Sequence, residues 1–178
     1  MRYRKLFEPV KIGNVTLKNR FVMPAMDSST TTPEHKFSQQ SIEYLSARAE
    51  GGFGLVIAEF MAVDPSGFAT PNQVGIYDDS FLPNLRELTE AIHAKNGKCC
   101  AQIHHAGIQT KTDCIGRKPL AVTGIPSTKY KEPVHEMTTK EVYALIDKFA
   151  EAGIRAKKAG FDFVEVHGAH GYMIAQFL

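Results

Sequence analysis

The chain of 178 residues is long enough for one domain with its own hydrophobic core and short for two. Its 21 Lys and Arg residues against 19 Asp and Glu leave a net charge of only +2, which argues against nucleic acid and an anionic membrane as partners. With 43% hydrophobic residues and no low-complexity tract, the composition is that of a folded globular protein rather than a disordered or fibrous one.

Neither the start of the chain nor its cysteines suggest export. The first five residues are basic, but Glu8 and Pro9 follow without the apolar segment of a signal peptide, and no run of about 18 apolar residues occurs. We therefore expect a cytoplasmic protein. Cys99, Cys100 and Cys114 form no CxxC pair, so the sequence predicts reduced thiols rather than disulfides or a zinc or iron–sulfur site.

The predicted elements begin with a β-hairpin over residues 10–17, where apolar side chains alternate around a Gly13-Asn14 turn. Four short apolar runs typical of buried parallel strands follow, at residues 21–23, 55–58, 99–103 and 163–166. Helical patterns separate them, at residues 40–50, 82–92 and 139–159. The last helix has the clearest start, because Thr138 and Glu141 form a capping-box sequence.

The connections between these elements are unequal in length. Only a few residues enter each strand, whereas residues 105–137 form a long connection rich in Gly and Pro, of the kind that builds lids and binding loops. Alternating strands and helices predict an α/β fold whose working face lies at the C-terminal ends of parallel strands. No GxGxxG or GxxxxGK[ST] motif supports a Rossmann site or a P-loop.

The number of strands predicts an incomplete barrel. A (β/α)₈ barrel takes typically about 250 residues, and here four strands take 178. The sequence therefore predicts half of a TIM barrel, about four βα units plus the N-terminal hairpin, as one domain over residues 1–178.

Polar side chains gather where these strands end. They are Asp27, Glu59, Gln102, His104, His105, His167, His170 and Tyr172. Core positions rarely collect such residue types, so we expect a site at this face.

The densest group is the segment HGAHGY at residues 167–172. Two imidazoles three residues apart can donate hydrogen bonds to a carbonyl oxygen, and the phenol of Tyr172 can supply a proton nearby. The alternatives are a hydrogen-bonded turn or half of a metal site, which would indicate a metal-dependent TIM-barrel hydrolase or lyase. Zinc is the less favoured ligand, because no acidic or cysteine residue lies at helical spacing beside the histidines.

Four segments in this order resemble the N-terminal half of Old Yellow Enzyme-type NADH:flavin oxidoreductases. They are LFEPVKIG at 6–13, LKNRFVMPAM at 17–26, QIHHAG at 102–107 and HGAHGYMIAQFL at 167–178. The likeness is greatest to the 2,4-dienoyl-CoA reductase and enoate reductase branch, whose members are FMN-bearing TIM barrels that reduce activated C=C bonds with NAD(P)H. This implies an FMN-dependent ene-reductase with a small-molecule alkene as substrate. An iron–sulfur cluster and FAD would belong only to a C-terminal region beyond residue 178.

The resemblance also implies which residues contact the flavin. They are Pro24, Ala25, Met26, Asp27, Phe60 and Gln102. The amide of Gln102 would meet the pyrimidine edge of the ring, where a group that both donates and accepts is suitable. Asp27 stands where relatives often carry Cys or Thr, and an ionised carboxylate there would disfavour the anionic reduced flavin.

The catalytic roles follow in the same way. His167 and His170 match the pair that holds the carbonyl oxygen of the substrate, and Tyr172 matches the tyrosine that protonates the carbon alpha to it. Ser29 stands where some relatives place an aromatic substrate contact. A remaining interpretation is an inactive half-barrel that associates with itself through its open sheet edges.

Overall fold

The computed structural model describes residues 3–178, so Met1 and Arg2 of the basic start lie outside the described residues. The strands are β1 (Val10–Ile12), β2 (Val15–Leu17), β3 (Val22–Met23), β4 (Leu55–Ala62), β5 (Lys98–His104), β6 (Leu120–Ala121), β7 (His135–Glu136) and β8 (Phe163–Val166). The α-helices are α1 (Gln39–Glu50), α2 (Leu82–Ala94), α3 (Thr112–Ile115) and α4 (Thr139–Lys158).

One parallel sheet organises the chain. Its strands lie in the order β3-β4-β5-β8, and each pairs in parallel with the next. All four predicted strands are therefore present, in sequence order, as in one side of a barrel. Because the strands are parallel, their C-terminal ends meet at a single edge of the sheet. The last residues of the four strands are Met23, Ala62, His104 and Val166.

Strand β4 is longer than the apolar run predicted. It extends from Leu55 to Ala62 and so includes Glu59. The pairing with β5 slips between Ile57 and Phe60: Ile57 lies opposite Cys100, and Phe60 lies opposite Gln102. Three residue steps on β4 thus match two on β5, which is a β-bulge.

The N-terminal hairpin packs against one face of the sheet. Strands β1 and β2 pair antiparallel, as the alternating pattern predicts. Leu17 forms a small buried cluster with Leu55 and Cys100, against which Ile57 and Phe163 pack. The hairpin therefore covers the starts of the strands and leaves their C-terminal ends open.

The helices cover the opposite face and form the larger core with it. Leu85, Leu88 and Ile92 of α2 are fully buried there, as the apolar stripe of this helix predicts. The capping box of α4 is also confirmed, because the Thr138 hydroxyl accepts from the Glu141 N–H and the Glu141 carboxylate accepts from the Thr138 N–H. The helix begins where the sequence predicts it.

The connection over residues 105–137 is partly ordered by its own short elements. It holds α3 and a two-stranded parallel sheet of β6 and β7.

No helix in the part of the chain that the structure describes is both long and apolar enough to cross a membrane.

Candidate active site

A pocket of about 620 Å³ opens at the C-terminal ends of the four strands. Nine of the residues predicted from the sequence line it: Pro24, Ala25, Met26, Asp27, Phe60, Gln102, His167, His170 and Tyr172. They come from segments up to 148 positions apart in the chain, from Pro24 to Tyr172. The parallel sheet brings them together because every segment follows or ends one of its strands.

The bulge in β4 sets the wall of the pocket. In a regular strand side chains alternate, so Ile57 and Phe60 would point to opposite faces. The extra residue puts both on the pocket side, where both line the cavity. Glu59 consequently points away from the pocket, and its carboxylate accepts a hydrogen bond of 2.5 Å from the hydroxyl of Ser28, in the segment after β3. Burial raises the pKa of Glu59.

Glu59, His104 and His105 therefore do not lie where the sequence suggests. Glu59 is only 1% exposed and lies behind the pocket wall. His105 is buried, and it accepts from the Gly107 N–H at Nδ1 while Nε2 pairs with the Ser66 hydroxyl at 3.1 Å. His104 lies beneath the pocket, packed edge-on against Phe60 and Tyr172 with ring centroids 4.7 Å from each. His105 therefore serves internal hydrogen bonding, whereas within residues 3–178 neither ring nitrogen of His104 has a hydrogen-bond partner.

Glu165 is a pocket residue that the sequence analysis does not single out. It lies directly opposite Gln102 in the pairing of β5 with β8, and its carboxylate accepts a hydrogen bond from the Gln102 amide. Because an ionised carboxylate only accepts, the Gln102 NH₂ must face Glu165. The alternation of β8 supplies the signal that would have found it, since Glu165 and His167 are two residues apart on one face.

His167 has a defined tautomer. The Ala169 N–H donates to its Nδ1 at 3.2 Å, so the proton of the neutral ring lies on Nε2. That Nε2 lies 3.3 Å from Nδ1 of His170, which therefore accepts. Burial lowers the pKa of His167, and the neighbouring His170 acts in the same direction against the opposing effect of Glu165. Each ring thus carries its proton on Nε2.

The turn after β8 places His170 beside His167. His170 has a φ of 58° and Gly171 a φ of 68°, both in the left-handed region, which glycine adopts without strain and histidine tolerates better than most residues. The turn is closed by the Tyr172 N–H, which donates to the Ala169 carbonyl, and by the Met173 N–H, which donates to the His105 carbonyl. The imidazole pair is therefore fixed by the backbone.

Tyr172 completes the group of rings. Its centroid lies 4.9 Å from that of His167 and 6.0 Å from that of Phe60. Burial raises the pKa of Tyr172, with Tyr130 and Asp27 adding to the effect and Lys129 opposing it. The phenol is therefore protonated at neutral pH and able to donate.

The segment after β3 forms the remaining wall. Pro24, Ala25 and Met26 run along the pocket without regular secondary structure, and the Asp27 carboxylate accepts from the Ser29 N–H and the Thr70 hydroxyl, both at 2.9 Å. Ser29 is the one predicted site residue that does not line the pocket. Its N–H donates to the Asp27 carboxylate, and the residue is exposed.

The histidine pair lacks a third metal ligand. Among residues 3–178, only His93, Cys99 and Asp162 place three metal-binding atoms within 4.8 Å of one another, and they lie away from this pocket. The carboxylate of Glu165 is engaged by Gln102. The geometry of the pocket thus favours hydrogen bonding by His167 and His170 over metal ligation.

The chain is similar to flavin oxidoreductases in both sequence and structure. It is 40% identical over 178 residues to the NADH oxidase of Thermoanaerobacter brockii, covering 99% of this chain and 27% of that protein. It is 39% identical to the NADPH dehydrogenase of Halalkalibacterium halodurans, covering 98% of this chain and 51% of the relative. The chain therefore spans about a quarter to a half of the length of these curated relatives.

Solved structures give the same result. A 2-naphthoyl-CoA reductase in complex with 2-naphthoyl-CoA superposes with a TM-score of 0.93 at 31% identity, over 99% of this chain and 29% of that one. Morphinone reductase superposes with a TM-score of 0.92 at 27% identity, over 97% of this chain and 50% of that one. The fold is the N-terminal part of an Old Yellow Enzyme TIM barrel, as the motif resemblance implies.

The family model for NADH:flavin oxidoreductases and NADH oxidases matches residues 5–178. That match includes every strand of the sheet and every residue of the pocket. With the fold, the pocket and the relatives in agreement, the chain belongs to the NADH:flavin oxidoreductase / NADH oxidase family.

Proposed function

We propose that this chain forms the substrate-facing half of an FMN-dependent ene-reductase, which reduces an activated C=C bond with NAD(P)H as electron source. The observation that carries the proposal is the pocket, because two imidazole donors, one phenol and one oriented amide line the same cavity. These groups suit an alkene conjugated to a carbonyl, because such a substrate develops charge on its oxygen as its carbon is reduced.

The pocket is suited to a flavin. Its wall combines apolar side chains, among them Ile57 and Phe60, with the amide of Gln102, as a flat ring with one polar edge requires. One N–H of that amide is taken by Glu165, which leaves its other N–H and its carbonyl oxygen free to pair with the ring. Bound beside Phe60 and Gln102, FMN would supply the hydride-transfer chemistry between NAD(P)H and the alkene.

The chain's own residues would stabilise the charge that develops on the substrate oxygen and supply the proton to the substrate carbon. His167 and His170 would each donate from Nε2 to the carbonyl oxygen of the substrate, which requires His167 to release its hydrogen bond to His170. Tyr172 would protonate the carbon alpha to the carbonyl. Its protonated state at neutral pH and its place beside His167 support this role.

Two structural relatives support the ligand classes. Morphinone reductase has been solved with tetrahydroNAD, and the 2-naphthoyl-CoA reductase with an aromatic acyl-CoA. Both ligands are small molecules, one a nicotinamide and one a conjugated thioester. We extend these classes to the present chain as nicotinamide reductant and enone, enoate or enoyl thioester substrate.

The remaining part of the barrel would hold the FMN phosphate. TIM-barrel phosphate sites are typically built by the loops after strands seven and eight, which the four strands described do not include. Activity is therefore a property of a complete barrel. The chain by itself would instead associate through its sheet edges, since β3 and β8 each pair on one side only within the described residues.

A chimera tests the proposal. Residues 1–178 would replace the matching part of the Halalkalibacterium halodurans NADPH dehydrogenase, to which they are 39% identical. We expect a yellow protein that oxidises NADPH and reduces 2-cyclohexenone to cyclohexanone under anaerobic conditions. A folded chimera that binds flavin and oxidises NADPH only with oxygen would contradict ene-reduction, and one that binds no flavin would contradict the cofactor assignment.

A further inference from the structure

A second group of reactive side chains lies at the opposite end of the sheet from the pocket. His93 is at the end of α2, Cys99 is at the start of β5, and Asp162 immediately precedes β8. Their ligand atoms all lie within 4.8 Å of one another. None of the three takes part in the proposed reaction.

We propose that His93, Cys99 and Asp162 form a zinc-binding site. One imidazole, one thiolate and one carboxylate are ligands that zinc accepts, and three protein ligands plus a water molecule make a four-coordinate ion. His93 is the exposed member of the group, with 37% of its side chain accessible, so an ion and its water reach the site from that side.

Two of the three distances between the ligand atoms match those around a tetrahedral ion. Sγ of Cys99 lies 3.6 Å from Nε2 of His93 and 3.7 Å from Oδ2 of Asp162. Around a tetrahedral zinc ion, sulfur lies about 3.6 Å from a nitrogen or oxygen ligand, given bonds of about 2.3 Å to sulfur and about 2.1 Å to the lighter atoms. Two of the three separations therefore already have the required values.

The third separation changes when the ion enters. His93 Nε2 and Asp162 Oδ2 are 2.8 Å apart because a proton lies between them. A zinc ion in place of that proton requires about 3.4 Å, an opening of about 0.6 Å that the exposed imidazole can make. The imidazole bound to zinc through Nε2 carries its proton on Nδ1, and the Cys99 thiol releases its proton to solvent as the S–Zn bond forms.

The carboxylate is already held by supporting groups. Lys98 Nζ donates to Oδ1 of Asp162 at 2.9 Å, and the Cys99 N–H donates to Oδ2 at 2.9 Å. These bonds and the one from His93 keep the pKa of Asp162 low against the effect of burial. Burial raises the pKa of the Cys99 thiol to about 12, so a bound cation would supply the charge that its deprotonation needs.

Zinc and cobalt titrations of the 178-residue chain test the site. After incubation with zinc chloride and desalting, we expect one zinc per wild-type chain, and with Co²⁺ a thiolate-to-metal charge-transfer band. The variants His93→Gln, Asp162→Asn and Cys99→Ala each remove one ligand. Since even loss of an outer-shell partner costs 10–100-fold in metal affinity, each should weaken zinc binding by at least about 100-fold.

Cys114→Ala is the matched control, because it removes a half-buried thiol outside the group and should leave zinc binding unchanged. His93→Gln changes an exposed side chain, so circular dichroism should show a folded protein. Zinc should raise the melting temperature of the wild type and of the Cys114 variant only. Wild-type protein that retains no more zinc than Cys99→Ala, or full binding by His93→Gln, would overturn the proposal and leave the three residues as a hydrogen-bonded link.

Discussion

The Gln102 side-chain amide donates a hydrogen bond to the Glu165 carboxylate on the neighbouring strand, directly opposite in the sheet register. This bond fixes which end of the amide faces the pocket. An amide that is free to flip would present either end to a ligand with similar ease. Glu165 therefore determines which amide atoms Gln102 presents to the pocket, although Gln102 is the residue to which the motif resemblance assigns the flavin contact.

Replacing Glu165 with Gln should weaken FMN binding in the chimera. The new side chain can both donate and accept, so it no longer enforces the orientation of Gln102. A hydrogen bond to a charged group contributes about 1.5–3 kcal/mol, which corresponds to roughly 10- to 100-fold in the dissociation constant. Fluorescence titration of the apoprotein with FMN measures the effect. Glu136→Gln, at an exposed acid outside the pocket, is the control. Equal affinity in the Glu165 variant and the control would contradict this orienting role.

The double variant His167→Ala, His170→Ala should separate the two half-reactions of the chimera. Both side chains face the substrate oxygen in our proposal, so alkene reduction should fall at least about 100-fold, the usual effect of removing one oxyanion donor. FMN should remain bound and reducible by NADPH. Stopped-flow measurement of each half-reaction distinguishes these effects. Unchanged oxidation of the reduced enzyme by 2-cyclohexenone would exclude the proposed role.

Tyr172→Phe should slow protonation of the product while leaving substrate affinity almost unchanged. It removes one hydroxyl and keeps the ring that packs against His104 and His167. Loss of a general acid typically costs about 10²–10⁴-fold in rate. Single-turnover alkene reduction would be followed from pH 6 to pH 9. A variant that equals the wild type throughout that range would assign the proton to water or to another residue.

The stability of the chain should fall as the pH drops from 7 to 5, in part because of His105. Burial lowers the pKa of His105 to about 4, whereas an unfolded histidine titrates near about 6.5. Between these values the unfolded state binds a proton that the folded state does not, so acid favours unfolding. The expected loss is about 2 kcal/mol.

Urea unfolding at pH 7 and pH 5 measures this loss. In His105→Gln the difference between the two pH values should shrink by about 2 kcal/mol, since glutamine does not titrate. His170→Gln, which removes an exposed imidazole, serves as the control. An unaltered pH dependence in His105→Gln would show that other groups cause the acid sensitivity.

The 178-residue chain alone should bind FMN weakly and should self-associate. Its described sheet has two strands that pair on one side only, and large apolar side chains are exposed near β8, including Ile146, Val166 and Phe177. Size-exclusion chromatography with added FMN and detection by visible absorbance measures both properties. A monomer that elutes with stoichiometric flavin and reduces 2-cyclohexenone would contradict this prediction.

Much of the fold was predictable because the strands are apolar on both faces and the helices are amphipathic. The hairpin, the strands and the capping box of α4 all depend on local patterns that the sequence states directly. The end of β4 did not follow, because Glu59 interrupts the apolar run within the strand. The sequence pattern alone does not distinguish a surface carboxylate from a buried one that accepts a hydrogen bond from a hydroxyl in another segment.

The candidate site was predictable in outline for a different reason. Motif resemblance supplied its residues, and the parallel sheet explains why they meet. Glu165 was not predicted because it lies two residues before the recognisable histidine motif, which begins at His167. The group formed by His93, Cys99 and Asp162 was missed because its residues come from three separate elements and share no motif spacing.

The extra residue in β4 shifts the alternation of side chains within the strand. Ile57 packs against the hairpin cluster and lines the pocket, and Phe60, three positions later, lines the same pocket. A regular strand of the same sequence, without the bulge, would turn Phe60 into the helix-side core and bring Glu59 toward the pocket. Deletion of Ala58 would instead remove the extra residue and leave Phe60 on the pocket side. The number of residues between Ile57 and Phe60 thus sets the polarity of the cavity.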